Sequence, residues 1–262
     1  MPHGERALLE ELRRAVSAVK TPILLFLDLD GTLAPLRKDP SKVRISKNVL
    51  RILRSLSKNP RVKIFIVSGR DEKFLRSRIP FPNVSLAAEH GAVPLAKNEK
   101  RIFSSALRAL SALSEKYPGT FIERKSSAIA FHCRNAPPRL QFPIRKDVLC
   151  LLSGFSGKGI LIIHGKKVVE FVFSKAGKGA FLKRTASTSG SSIIIAIGDD
   201  ETDEGMFREA NRLGGISVLV GKNGKSSAGY SIPSVRDAAL FLKSLLLAIE
   251  KSERKRFYNI AH

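Results

Sequence analysis

The chain has 262 residues, 43% hydrophobic and 26% charged, the make-up of a soluble globular protein with room for one large domain or two modest ones. Its two cysteines, Cys133 and Cys150, argue against a disulfide framework and lack the paired spacing of a zinc site. Glu5, Glu10 and Glu11 without an apolar signal core argue against a secretory leader, and the apolar stretches reach only about half a bilayer span, so a cytoplasmic protein with no membrane partner is expected.

The formal charge of +23 is the unusual quantity. It implies attraction to polyanions or anionic substrates. Tryptophan is absent, tyrosine occurs three times, and most of the 15 phenylalanines sit in apolar runs, which is poor material for base stacking. No zinc-finger or RNA-binding signature is present. A basic surface that draws in a phosphorylated small molecule accounts for the charge as well, so nucleic acid is not the expected main partner.

Residues 5–20 place Leu8, Leu12, Ala15, Val16 and Val19 at helical spacing. Ile23 to Asp28 reads as a strand of a parallel sheet covered on both faces, and it runs into Leu29-Asp30-Gly31-Thr32. Strand residues two apart point the same way, so Asp28 and Asp30 converge. Ligands of open α/β sheets bind at the carboxyl ends of strands. There, such a pair suits a divalent cation or a nucleophile with an acid/base partner; the plainer reading is a strand closed by an Asp-Gly turn. Residues 43–56 read as an amphipathic helix stopped by Asn59-Pro60, and 62–67 as a strand ending in Ser68-Gly69-Arg70. A helix over 71–79 and a strand over 84–88 lead to Glu89-His90-Gly91. This alternation predicts a doubly wound parallel sheet.

From about residue 97 the rhythm changes to a strand, a helix over 104–116, strands over 120–123 and 127–133, a helix over 145–153, and strands over 159–163 and 167–173. Strands that adjoin without helices between them predict a smaller α+β unit with an antiparallel sheet. Alternation resumes with a helix over 178–188, a strand over 192–197, a helix over 202–211, a strand over 216–220 and a last helix over 235–250, with Lys251 to Arg256 as its solvated end. The expected fold class is α/β: a doubly wound, Rossmann-like core of residues 1–96 and 175–262, interrupted by an inserted α+β unit of 97–174.

The run Gly198-Asp199-Asp200-Glu201-Thr202-Asp203-Glu204 sets several acids between a strand and a helix start. A Mg²⁺ ion would relieve their repulsion, since it takes one or two carboxylates together with phosphate oxygens and water. A helix cap alone would use Asp200 or Thr202 and leave the other acids unexplained. Gly221-Lys222-Asn223-Gly224-Lys225-Ser226 imitates a nucleotide-binding phosphate loop, but the first glycine of that pattern would fall at Leu219 and a poor helix start follows, so a plain loop is expected.

The order Asp28-Leu29-Asp30-Gly31-Thr32, Ser68, Lys178 and Gly198-Asp199-Asp200 with Asp203 resembles the haloacid dehalogenase-like (HAD) phosphatases, and the inserted unit falls where that superfamily carries a cap domain. A finer similarity is to the trehalose-6-phosphate phosphatase family, carried by Leu27 to Pro35, Ser68-Gly69-Arg70, Glu89-His90-Gly91, the Thr202-Asp203-Glu204 ending and Ala228-Gly229-Tyr230. In the insert, Glu123-Arg124-Lys125, His132-Cys133-Arg134 and Lys166 to Glu170 are similar to the family's sugar-binding segments.

The resemblance implies a Mg²⁺-dependent phosphatase that hydrolyses trehalose 6-phosphate through an aspartyl-phosphate. Asp28 would be the nucleophile and Asp30 the acid/base; Thr32, Ser68 and Lys178 would hold the phosphate. Asp28, Asp30 through its carbonyl, and Asp199 would hold the metal, with Asp203 as ligand or behind it. Glu123, Lys125, His132, Arg134, Lys166 and Glu170 would bind the sugar. Three positions depart from the family pattern, with Val172 in place of an arginine, Cys133 of a tyrosine and Ala128 of a serine. Sucrose phosphate, mannosyl-phosphoglycerate or a hexose phosphate therefore stays open as the substrate. From a different class, so does a basic nucleic-acid-binding protein on a phosphatase-like core. The expected partners are a small sugar phosphate and a separate trehalose-phosphate synthase, and the expected state is a monomer.

Overall fold

The structure, a computed structural model, describes residues 5–17, 21–37, 39–92, 95–155, 159–164, 167–173, 177–221 and 225–260. Lys166 and the 222–224 portion of the glycine-lysine loop lie outside these. Two compact units emerge, Met1–Gly91 with Lys178–His262, and Ala92–Gly177.

In chain order, α1 (Glu5–Ser17) leads to β1 (Ile23–Leu27), then α2 (Lys47–Lys58), β2 (Val62–Val67), α3 (Glu72–Arg78) and β3 (Val84–Ala87). The second unit holds α4 (Lys97–Lys116), β4 (Phe121–Arg124), β5 (Ala128–His132), α5 (Pro138–Ser153), β6 (Ile160–His164) and β7 (Val168–Phe173). The chain then returns to the first unit through α6 (Lys178–Ser187), β8 (Ile193–Gly198), α7 (Glu204–Arg212), β9 (Ile216–Val220), β10 (Tyr230–Ile232) and α8 (Val235–Ile260).

The first unit is built on a six-stranded sheet in the order β10-β9-β8-β1-β2-β3, parallel throughout. Strand β1 lies in its middle, and its five residues are all buried. They alternate: Ile23, Leu25 and Leu27 join a core with Leu8 and Leu12 of α1, Leu53 of α2 and Leu245 of α8. Leu24 and Phe26 join a second core with Leu182 of α6 and Met206 and Phe207 of α7. Period-two alternation therefore assigns one helical layer to each face. It also places Asp28, next in register after Leu24 and Phe26, on the α6–α7 side. The ring of Phe26 stacks on Phe65 at 4.9 Å and meets Phe181 edge-on at 6.1 Å.

The second unit is a four-stranded antiparallel sheet in the order β4-β5-β7-β6. Helices α4 and α5 cover one face, where Phe103, Leu110, Ile144 and Val148 pack on Ile129, Phe131, Val169 and Phe171. The other face carries Phe121, Glu123, Ala130, His132, Ile163 and Glu170, aligned across the strands by the pairing register.

The structure departs from the sequence expectations at several boundaries. The strand expected from about residue 97 is replaced by α4, which begins there because the Glu99 carboxylate accepts the Ala96 amide at 2.8 Å and caps the first turn. Helix α2 starts at Lys47 rather than 43, since the Ser46 hydroxyl accepts the Val49 amide at 3.2 Å. Helix α5 extends back to Pro138, a residue whose fixed φ suits a first helical turn. Pro143, exposed within it, hid this extension. Strand β10 was not foreseen, being three residues long. No helix among the described residues is long and apolar enough to cross a membrane.

Because Phe26 is fully buried between two aromatic rings, Phe26→Ala is expected to destabilise the protein by about 3–5 kcal/mol through lost burial and the cavity left behind. Urea unfolding of both proteins measures this; a loss under about 1 kcal/mol would mean that the layer collapses to fill the gap.

Candidate active site

The carboxyl ends of β1, β2 and β8 lie side by side, since these strands are neighbours in one parallel sheet. Asp28 follows β1, and its amide donates to the Ile197 carbonyl at 2.9 Å, so it continues the sheet pairing. Its carboxylate is nearly buried, 5% exposed. Opposite it stands Lys178, the first residue of α6, itself 3% exposed. The Lys178 ammonium donates to Asp28 Oδ1 at 2.6 Å and to Asp203 Oδ1 at 2.7 Å. The second oxygen of Asp203 accepts the amides of Asp199 at 3.0 Å and Asp200 at 3.2 Å. Asp203 thus holds the lysine with one oxygen and shapes the loop after β8 with the other. The Thr32 hydroxyl donates to Asp199 Oδ1 at 3.3 Å, tying the turn after β1 to the same loop.

This crowding leaves no room for side chains at two glycines. Gly31 sits at φ +87°, and a Cβ there would lie 2.0 Å from an Asp199 carboxylate oxygen; at Gly198 it would lie 2.2 Å from the Asp203 carboxyl carbon. The glycine of the Asp-Gly-Thr segment therefore serves both the turn and the packing of acids around it.

Asp30 is placed differently. Arg70, at the end of the loop after β2, forks onto it, Nε to Oδ2 at 2.9 Å and Nη2 to Oδ1 at 2.6 Å. The guanidinium also lies over the Phe74 ring, 4.6 Å from its centroid. Ser68, in the same loop, is buried, and its hydroxyl accepts the Arg70 amide at 3.3 Å. The Ser68 carbonyl accepts the His90 amide at 2.7 Å, and the Arg70 carbonyl accepts the Glu89 amide at 2.9 Å. Arg70 belongs to the Ser68-Gly69-Arg70 motif, yet nothing local marks it as the partner of Asp30; its position directly behind a strand-end Ser-Gly is the one signal in the sequence.

The candidate sugar-binding residues form pairs on the second unit. Glu123 Oε2 and His132 Nε2 are 2.9 Å apart, Lys125 donates to Glu170 at 3.1 Å, and Phe121 stacks on His132 at 4.4 Å. Arg134 does not share the strand face of His132 as expected. Strand β5 ends at His132, and Arg134 sits exposed in the turn that follows, because the Ala136 amide bonds back to the Cys133 carbonyl.

The electrostatics of the first-unit cluster favour another cation. Ligand atoms of Asp28, Asp199 and Asp203 lie within 4.8 Å of one another. Burial, outweighing Lys178, pushes the Asp28 carboxyl up to about 7. Burial and the charge of Asp28 raise Asp203 to about 7, and burial with Asp200 and Asp203 raises Asp199 to about 6. Lys178 is moved the other way: burial would lower it, but Asp28 and Asp203 overcome that and hold it charged. Three carboxylates around one ammonium are a donor set of oxygen atoms with surplus negative charge, which fits a hard divalent ion. The sign of the linkage follows. Acids raised above their ordinary value of 3.8 take up protons more readily when folded, so stability grows as pH falls through about 7. Metal-free protein should therefore melt at higher temperature near pH 5.5 than near pH 8, and Mg²⁺ should remove most of that difference by stabilising the ionised state. Calorimetry at the two pH values tests this; a metal-free protein more stable near pH 8 would contradict the cluster's charge balance.

Residues 26–236 match the family described as Trehalose-phosphatase. The chain is 34% identical over 257 residues to the probable trehalose-phosphate phosphatase of Sinorhizobium fredii, covering 93% of this chain and 95% of that protein. It is 32% identical over 232 residues to the bifunctional trehalose-6-phosphate synthase/phosphatase of Thermoproteus tenax, covering 85% of this chain and 32% of that protein. The chain thus spans about a third of the length of the longer relatives it matches. The solved structure of Aspergillus fumigatus trehalose-6-phosphate phosphatase aligns with a TM-score of 0.73 at 28% identity, over 95% of this chain and 99% of that one. A parallel sheet with paired strand-end acids, the buried Lys178 bridge and a match over most of the sequence agree: the chain belongs to the trehalose-phosphatase family.

Proposed function

We propose that this chain hydrolyses trehalose 6-phosphate to trehalose and inorganic phosphate with Mg²⁺, through a phosphoryl group carried on Asp28. The observation that supports this most is the Lys178 ammonium shared between Asp28 and Asp203 at the carboxyl edge of the sheet. It aims a cation at the carboxylate best placed to attack, and it would meet phosphoryl oxygens arriving there. An Asp28 oxygen attacks phosphorus as the bond to the sugar oxygen breaks, and Asp30, turned away from the Arg70 fork and protonated from solvent as substrate binds, gives that proton to the leaving oxygen. Water then attacks the same phosphorus, Asp30 takes its proton, and the Asp28 carboxylate is released with phosphate. Ser68 and Thr32 would donate to the phosphoryl oxygens. Asp28, Asp199 and the Asp30 carbonyl would hold Mg²⁺, with Asp203 behind them, and the ion would supply charge neutralisation for the phosphate.

The second unit is read as the cap, with Glu123, Lys125, His132, Arg134, Lys166 and Glu170 as the sugar-binding set. Carboxylate and ammonium pairs such as Lys125–Glu170 offer both donors and acceptors to neighbouring hydroxyls. A trehalose-phosphate synthase is the proposed source of the substrate. A different sugar phosphate is the second reading, and one observation favours it: Ala128 and Val172 are register partners across β5 and β7 and form a small apolar patch of their own. These are two of the three positions that depart from the family pattern.

Phosphate release from trehalose 6-phosphate, beside sucrose, glucose and mannose phosphates, separates the readings. Activity on trehalose 6-phosphate that falls by at least ~10³-fold in Asp28→Asn and is lost on chelation is the expected outcome; turnover of other sugars alone would transfer the substrate but keep the chemistry. Arg70→Lys keeps the charge but loses the fork on Asp30. It should slow a sugar phosphate, whose leaving oxygen needs a proton, about tenfold more than a nitrophenyl phosphate, whose leaving group does not. Equal loss on both would remove Arg70 from the acid/base step.

A further inference from the structure

The cations of this protein are unevenly matched. On α1, α3 and α7, arginines pair with acids one turn away: Arg6 with Glu10, Arg14 with Glu11, Arg76 with Glu72 and Arg212 with Glu209. Helix α2 has a different character. Its sequence, KNVLRILRSLSK, contains no acid. Lys47, Arg51, Arg54 and Lys58 fall at i, i+4, i+7 and i+11, all exposed, on the side opposite the buried Val49, Ile52, Leu53 and Leu56. Among the described residues none of the four has an ion-pair partner. Their row spans about 16 Å at the helical rise of ~1.5 Å per residue. Between them only Asn48 and Ser55 are exposed, and no large apolar side chain of α2 is.

The composition of this face selects its partner. A protein partner would be met by apolar or aromatic anchors at the centre of the patch; arginine is common at such interfaces, but lysine, half of this row, is depleted there. An anionic membrane would be met by apolar side chains inserted below the charges. Single-stranded nucleic acid would be met by aromatic rings that stack on bases. The α2 face has none of these. A row of unmatched cations with small polar residues between them suits the phosphates of a duplex, whose protein interfaces are polar and strongly positive and whose backbone contacts carry no sequence information.

We propose that α2 docks this protein on the phosphate backbone of double-stranded nucleic acid, without sequence preference, through Lys47, Arg51, Arg54 and Lys58. The surface is independent of the hydrolytic residues. Helix α2 packs on the Leu25–Leu27 side of the sheet, whereas α6, which carries Lys178, packs on the Leu24–Phe26 side.

The test is binding of the full chain to a short labelled duplex by fluorescence anisotropy, from about 50 to about 200 mM salt. Two variants with the same change in net charge are compared. One is Lys47→Gln, Arg51→Gln, Arg54→Gln and Lys58→Gln together; the other is Arg6→Gln, Arg14→Gln, Arg76→Gln and Arg212→Gln, which removes ion-paired cations instead. Each phosphate contact contributes about 0.9 to the slope of log affinity against log salt, so the α2 variant should lose about 3–4 from that slope and the control less than about 1. Both should keep wild-type phosphate release, which shows that they are folded. An unchanged slope in the α2 variant, or an equal loss in the control, would overturn the proposal. So would wild-type binding to phosphatidylserine vesicles with none to the duplex.

Discussion

The first unit is organised around one buried ammonium. Lys178 neutralises Asp28 and Asp203 at once, in a place where unpaired carboxylates would be strongly disfavoured. Removing one partner of such a buried group typically costs ~3–5 kcal/mol, because the remaining charges are left without water or counter-charge. Much of the nearby sequence follows from this arrangement. Asp203 must turn its second oxygen to the amides of Asp199 and Asp200, so the loop after β8 closes tightly and Gly198 has no space for a side chain. Gly179 beside Gly205 serves the same end: a Cβ on Gly179 would lie 2.5 Å from the Gly205 carbonyl oxygen, and that close approach holds the start of α6 against the start of α7. Stability is given up for a cluster of charges that an apolar core would not need, which is the usual signature of a site kept for chemistry.

A second loop restrains Asp30. Arg70 binds both oxygens of Asp30, and the backbone of the Arg70 loop is in turn bonded to Glu89 and His90. Those two residues take positive φ, +48° and +60°, a conformation that non-glycine residues adopt only when their surroundings enforce it. Gly69 has no room for a Cβ, which would approach His90 Nε2 to 2.6 Å. The Ser68-Gly69-Arg70 and Glu89-His90-Gly91 segments are therefore one packed feature, and their residue types are understood only together.

The second unit separates its two tasks by face. Alternation along β5 and β7 sends Ile129, Phe131, Val169 and Phe171 under the helices and leaves Glu123, His132 and Glu170 on the open side with Phe121 and Ile163. Among the described residues of this unit the helices lie on one face, and on the other the Glu123–His132 and Lys125–Glu170 pairs place charge beside Phe121 and Ile163.

Much of this was legible from local pattern. The apolar run of β1, the acids behind it and the resumption of alternation at Lys178 define the core strands, because periodicity and strand-end chemistry are properties of short segments. Local pattern singled out the acids Asp28, Asp30, Asp199 and Asp203, whereas Ser68 and Lys178 joined them only through the resemblance of the whole order to a known family. Boundaries set by single hydrogen bonds were not legible in this way: Ser46 and Glu99 decide where α2 and α4 begin, and both resemble any other polar residue in a list. That Arg134 lies in a turn and not on the strand face of His132 was equally hidden, because a strand's end depends on its neighbours. What only the tertiary structure decided is which charge meets which. Lys178 and Asp28 are 150 residues apart in sequence, and Arg70 and Asp30 are 40 apart. Nothing in local spacing distinguishes a lysine that neutralises two acids from one facing water; the folded sheet makes that choice, by bringing strand ends together where water is excluded.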